Sequence, residues 1–554
     1  MAESPTEKIK KESRGLRGTI KESLSDELTG SLREDDQSII KFHGMYQQDD
    51  RDRRDERAEK KLERLYSYMI RLRLPGGLLS ADQWIAIHEI AETHSTGVIK
   101  ITTRQTVQLH GIIKSHIKPT IKAFDEVKLD SIATCGDINR NVICSGNPAN
   151  SSLHSAIQEY ADKISQYLMP RTRAYYEIWL DEEKIADKRD EDDPLYQERY
   201  LPRKFKIAIA IPPNNDGDVF ANDVGLIAII EKGRLKGFNV AVGGGLSTTY
   251  GNPSTYPRLA TVIGFLDASL SDEKILKTVY AITSIQRDFG NRSDRKLARL
   301  KYTVDNHGIK WFKEEVERRN GWLFEPAKPF LFTERGDAYG WERDLAGKWH
   351  YTLFIENGRV LDEKGLAMKS AILEIAKSKT ANFRFTGNQN VIIADIDGKD
   401  KPIVEGILDR FGIRAFMDTL GLLRKNSMAC VSLPTCPLAL AEAQRYLPGL
   451  IDKLETLLSH HGLEEEQIVI RMTGCPNGCA RPYLAEIGLI GTAPGRYNLH
   501  LGGDYEGTRL NRLFRESLGE NEIILELDGL FRRFRSERNP KEGFGDFVMR
   551  KIFV

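Results

Sequence analysis

The chain has 554 residues, with 81 Lys and Arg against 80 Asp and Glu. Several domains are therefore expected, and the near-zero net charge gives no global field for nucleic acid or an anionic membrane surface. No stretch approaches the roughly 18 consecutive apolar residues of a membrane span, and the start, MAESPTEKIKKESRG, lacks the apolar core of a secretory signal, so a cytoplasmic protein is expected.

Residues 1–64 are dense in charge, as in QQDDRDRRDERAEKKLER, and read as a charged, solvated N-terminal arm. From Leu65, helical stretches such as SADQWIAIHEIAETH alternate with β-rich runs such as VIKITTRQTVQLHGII, the pattern of an α+β fold. These elements then recur. IAIHEIAE (85–92) is echoed by SAILEIAK (370–377), and ITTRQTVQLHGI (101–112) by FTGNQNVIIADI (385–396). Farther along, IPPN (211–214), DVGLI (223–227) and GFNVAVGGG (237–245) return in order as GCPN (474–477), EIGLI (486–490) and RYNLHLGGD (496–504). The reading is an internal duplication about a pseudo-two-fold axis, each copy holding a small helix–strand unit and a larger mixed domain. Arg104 and Gln105 of the first copy stand where the second has Asn388 and Gln389, and only the second carries paired cysteines. That asymmetry points to an anion site from the first half and a metal site from the second.

Six cysteines in so long a chain are no disulfide scaffold, and four fall in two close pairs. Cys430 and Cys436 lie in MACVSLPTCPLA, Cys475 and Cys479 in MTGCPNGCARP. Proline and glycine crowd both pairs, which favours irregular loops whose thiolates converge and whose amides point at sulfur. The wider first spacing favours an iron–sulfur cluster, with a structural Cys₄ zinc as the alternative.

ITTRQTVQLHG, NRNVICSGNP, PRTRAYYEIWL, YLPRKFKIAIAIPP, GFNVAVGGGLS, NSMACVSLPTCPLA and MTGCPNGCARP occur in that order over almost the whole chain. Together they resemble the nitrite and sulfite reductase family, in particular the haemoprotein (beta) subunits of its assimilatory sulfite reductases. The resemblance implies two ferredoxin-like halves, at 65–145 and 346–425. It also implies two larger α/β domains, a sirohaem-binding one at 146–345 and a sirohaem and cluster domain at 426–554. It implies that Cys430, Cys436, Cys475 and Cys479 hold a 4Fe–4S cluster, and that Cys479 is also the proximal ligand of sirohaem iron.

Sirohaem is rich in carboxylates and sulfite is an anion, so the pocket needs fixed positive charge. By resemblance, Arg104, Arg173, Lys204 and Lys206 surround the substrate. Lys204 and Lys206 are two apart in an apparent strand and so share a face, while Phe205 points away. Arg140, Arg203 and Arg299 are expected near the sirohaem carboxylates, with a helix-surface role as the alternative for Arg299. Asn141 and Asn147 are expected to add hydrogen bonds to the cofactor, and Cys135 and Cys144 to be buried and unreactive. The implied reaction is the six-electron reduction of sulfite to sulfide, with nitrite reduction or simple electron carriage as alternatives. No glycine-rich nucleotide motif follows a strand. Electrons are therefore expected from an NADPH-dependent flavoprotein subunit, or a ferredoxin, with residues 1–64 as the docking segment.

Overall fold

The computed structural model describes residues 3–181, 192–363 and 365–553. Ser80 opens the first echoed helix. Its hydroxyl accepts from the Gln83 N–H at 3.2 Å, and Gln83 Oε1 accepts from the Ser80 N–H at 3.1 Å, capping Ala81–His94 reciprocally. Ile87, Ile90 and Ala91 are buried here, and Ile372, Ile375 and Ala376 at the same places in Met368–Ser378. Helical periodicity thus gives both copies the same apolar stripe, and the two helices pack against each other.

The neighbouring strands build two matching five-stranded sheets. One runs Met45–Asp49, Tyr66–Arg71, Val107–Ile112, Ile99–Ile101, Arg359–Val360; the other runs Gly340–Arg343, Trp349–Leu353, Val391–Ile396, Asn382–Phe385, Leu78–Leu79. The last strand of each comes from the opposite half: Val360 pairs with Ile99, and Leu79 with Phe383. The exchange covers a sheet edge in each half and ties the halves into one body.

Two larger sheets repeat the same logic. Thr261–Asp267, Arg234–Val242, Val224–Glu231, Ile207–Ala210 and Ile143–Cys144 form the first; Arg512–Leu518, Arg496–Leu501, Ile487–Ala493, Ile470–Thr473 and Ser427–Ala429 form the second. In both, three parallel strands continue into antiparallel ones, and Ile207 faces Val224 as Ile470 faces Ile487. The echo of DVGLI in EIGLI is therefore an equivalence of register. Backbone peculiarities are copied too. Gln105 and Gln389 have φ of +52° and +72°, and Asp218 and Arg481 of +47° and +56°. Gln105 Nε2 donates to Phe385 O at 2.9 Å, and Gln389 Nε2 to its equivalent, Ile101 O, at 3.4 Å.

Asp218 and Arg481 are equivalent residues, yet they meet: Arg481 Nε lies 2.9 Å from Asp218 Oδ2 across the approximate axis. Like charges there would repel, and opposite charges make the contact attractive. Arg335 and Arg471 pair with the same carboxylate at 2.7 and 2.5 Å, and all of these side chains are buried. Burial raises the Asp218 pKa, but the three guanidiniums overcome it and hold the carboxyl far below its usual range. A carboxylate depressed in the fold contributes stability above its unfolded pKa, near 4, and loses that contribution as pH falls through the folded value. Asp218→Asn is expected to cost about 3–5 kcal/mol at pH 7, because three buried cations lose their counter-charge. The gap should narrow progressively in acid below about pH 4. Urea midpoints across pH test this, and equal midpoints at pH 7 contradict it.

Residues 3–64, the described part of the charged N-terminal segment, are not a solvated arm. Ile39, Ile40, Phe42 and Met45 are buried, and Met45–Asp49 is the edge strand of the first sheet. In the helix Pro5–Glu12, Lys10 is buried and donates to Leu201 O at 2.7 Å and to Glu7 at 2.6 Å. The few apolar residues that anchor this segment are diluted by charges that pair internally, which conceals them in the sequence. Among the described residues no helix is long and apolar enough to cross a membrane.

Candidate functional site

Two adjacent parallel strands, Ser427–Ala429 and Ile470–Thr473, lead into the cysteine loops. A methyl group at Gly474 would collide with Ser432 Oγ and Ala441 O, so glycine is what lets the two loops close on each other. The Gly474 N–H donates to Cys430 Sγ and Asn477 Nδ2 to Cys475 Sγ, both at 3.4 Å. Such donors stabilise charge on sulfur.

Burial pushes the Cys436 thiol up to about 12 and Cys430 well above its usual range, with Cys479 the next cause in both. Cys475 is raised by burial and then by Cys479. The four thiols thus occupy one neighbourhood. Among the described residues, no three His, Cys, Asp or Glu side chains converge closely enough for a single ion. A cuboidal cluster takes four thiolates, and two loops bring four here. The donor set fits the cluster.

A cleft opens beside Cys479. Arg104, Lys204, Lys206, Arg299 and Arg481 line it together with Thr103, whose hydroxyl donates to Cys479 O at 3.0 Å. Phe205 bridges to Asn139 and is wholly buried, so the two lysines flank an inward anchor as the alternation predicts. Burial lowers the Lys206 pKa to about 7, helped by Arg104 and Arg299 and opposed by Cys479 and Asp223. Lys204 is lowered well below its usual value by burial, then by Lys206. Burial brings Arg104 down to about 9, with Arg140 the next cause. Arg481 Nη1 is buried without a hydrogen-bond partner among the described residues. Crowded, desolvated cations require an anion, and a tetrapyrrole rich in carboxylates together with an oxyanion substrate meets that requirement.

The expected residues divide. Arg104 is braced by Asn141 O, by Asn222 Oδ1 at 2.7 Å and by Ile207 O at 2.8 Å. Arg299 is buried in the cleft and forks onto Asp223 at 2.8 and 3.2 Å, which removes the helix-surface alternative. Arg140 is buried, donating to Gly136 O and Thr134 O, and Arg203 stands beside Lys204 near Asp137. Arg173 is elsewhere: its Nε lies 4.0 Å from Glu177, a carboxylate that Arg17 also grips, outside the cleft lining. The Asn141 amide is occupied by Leu74 and Arg104 O, and Asn147 caps its own turn at Ala149 and donates to Glu342. Cys144 is buried and raised to about 12, chiefly by burial. Cys135 Sγ accepts from Arg71 at 3.1 Å.

Arg71 is the cation the sequence did not reveal. It donates to Thr134 O at 3.3 Å, the carbonyl that Arg140 also binds at 3.1 Å, and both guanidiniums act on Arg104. At the end of YSYMIR it reads as an ordinary strand terminus.

Comparison with known proteins matches this architecture. The profile of the nitrite and sulphite reductase 4Fe-4S domain fits residues 159–324, and that of the nitrite/sulfite reductase ferredoxin-like half domain fits residues 61–127 and 342–411. The chain belongs to the nitrite and sulphite reductase family. A relative from Leptospira biflexa serovar Patoc is 63% identical over 548 residues, covering 99% of this chain and 98% of its own length. One from Shewanella oneidensis is 52% identical, covering 98% and 96%, and one from Oceanobacillus iheyensis 50%, covering 99% and 94%. All three carry the name sulfite reductase (NADPH) hemoprotein beta-component. The solved structure of the Mycobacterium tuberculosis NirA protein superposes with a TM-score of 0.76 at 25% identity, covering 98% of this chain and 94% of that one.

Proposed function

We propose that this chain catalyses the six-electron reduction of sulfite to sulfide, with sirohaem and a 4Fe–4S cluster as cofactors and a separate flavoprotein, fed by NADPH, as electron donor. The observation that carries this reading is the position of Cys479: it lines the cleft with Lys204 and Lys206 and neighbours the thiols of Cys430, Cys436 and Cys475. A thiolate at that junction suits a ligand common to both cofactors. Cys430, Cys436, Cys475 and Cys479 would hold the cluster, Arg71, Arg140 and Arg203 the sirohaem carboxylates, and Arg299, which lines the cleft, the substrate. When bound there, sirohaem and the cluster would supply the one-electron chemistry that a six-electron reduction needs.

The chain's own residues do the rest. Arg104, fixed through three carbonyl and amide oxygens, orients an oxyanion but is a poor acid. Lys206, lowered to about 7, suits the delivery of protons to departing oxygens from Nζ and their recovery from water. Several cations around one cleft suit sulfite better than the smaller charge of nitrite, and a simple electron carrier leaves them without a task.

The donor assignment has a direct test. The purified holoprotein should reduce sulfite with reduced viologen but leave NADPH unoxidised until a flavoprotein is added. NADPH oxidation by the single chain would refute the two-component reading.

A further inference from the structure

Asp223 is a fully buried carboxylate in a neighbourhood of cations. Its Oδ2 accepts from the Lys206 N–H at 2.9 Å and from Arg299 Nη2 at 2.8 Å, and its Oδ1 from Arg299 Nε at 3.2 Å. One side chain therefore fixes both the backbone that carries Lys206 and the planar fork of Arg299, and both of those residues line the cleft.

The duplication supplies an internal comparison. Glu486 occupies the equivalent place, and its Oε2 accepts from the Val469 N–H at 2.9 Å, the counterpart of Lys206 N–H. Its other oxygen accepts from the Gly545 N–H at 2.8 Å, in the first turn of the helix Phe544–Lys551. In the cluster half the carboxylate thus joins strand to helix through backbone alone. In the first half the shorter Asp223 keeps the strand contact but turns its second contact to a guanidinium at the cap of Leu300–His307. Strand-to-helix bracing accounts for Glu486 and leaves the Arg299 contact unexplained.

We propose that Asp223 is a positioning residue of the anion cleft, holding Arg299 and the Lys206 backbone so that both present their charge to sulfite. The inference rests on the cleft being the sulfite site. A carboxylate fork restrains guanidinium rotation in two dimensions, which a single neutral hydrogen bond does not. Glu at this position is one methylene longer, so it keeps the charge while displacing the fork.

The test compares holoprotein variants by cofactor content, optical titration with sulfite, and the separation of KM from kcat. Asp223→Asn should retain iron and acid-labile sulfide, weaken sulfite affinity by about tenfold and change kcat by less than about threefold. Arg299→Gln should weaken affinity similarly, and the double variant should fall short of the product of the two single effects, since Asp223 acts in part through Arg299. Sulfite affinity equal to the unmodified protein in Asp223→Asn, or effects that multiply in the double variant, overturns the proposal. If Asp223→Asn does not assemble, Asp223→Glu decides: assembled protein with weakened affinity supports the proposal, and unmodified affinity overturns it. Unmodified affinity and unmodified turnover in both Arg299→Gln and Lys206→Met would instead remove the underlying site.

Discussion

Replacing Cys479 with serine is expected to cost the protein both the cluster and its thiolate hold on sirohaem, with complete loss of sulfite reduction. A hydroxyl is a poor ligand to iron where a thiolate is needed, and this residue alone among the six cysteines both lines the basic cleft and neighbours the other three paired thiols. Cys135→Ser and Cys144→Ser are the controls. Cys144 is buried and held protonated, so iron and acid-labile sulfide should stay at the unmodified level in both. A Cys479→Ser protein that retains both cofactors with an unchanged absorption spectrum contradicts the shared-ligand assignment.

Lys206→Met should fold and load both cofactors yet lose about 10²–10⁴-fold in turnover, the effect of removing a general acid. Methionine keeps the apolar stem beside Phe205 and deletes the charge and proton that burial has poised near neutrality. Lys204→Met should act in the same direction, because the two ammonium groups line one cleft and Lys206 helps to lower Lys204. If the lysines only bind, sulfite KM rises and kcat holds. Unmodified kcat and KM in both variants would remove them from the chemistry.

Much of this arrangement is legible in the sequence alone. The duplication can be read because core periodicity survives divergence: Ile87, Ile90 and Ala91 reappear as Ile372, Ile375 and Ala376. The cysteine loops and the Lys204–Lys206 alternation are local patterns, and local spacing fixes which side chains share a face. Arg173 misleads because a motif names a segment without saying which of its cations turns inward; this one turns to Glu177. Arg71 escapes because its partners, Thr134 and Cys135, lie more than sixty residues away. The Asp218 cluster is invisible for the same reason, since it joins positions 218, 335, 471 and 481 only after folding. Residues 1–64 mislead by composition: Arg51, in the middle of a charge run, donates to Cys436 O at 3.2 Å and Ala439 O at 2.7 Å, bracing a cysteine loop nearly 400 residues away.

The most direct test of the account is the optical spectrum of the purified chain, recorded with iron and acid-labile sulfide content. One sirohaem and one 4Fe–4S cluster per chain predict a sirohaem absorption spectrum perturbed by added sulfite, with about five irons and four labile sulfides. A colourless protein holding a single zinc, or a cluster without tetrapyrrole, would contradict it.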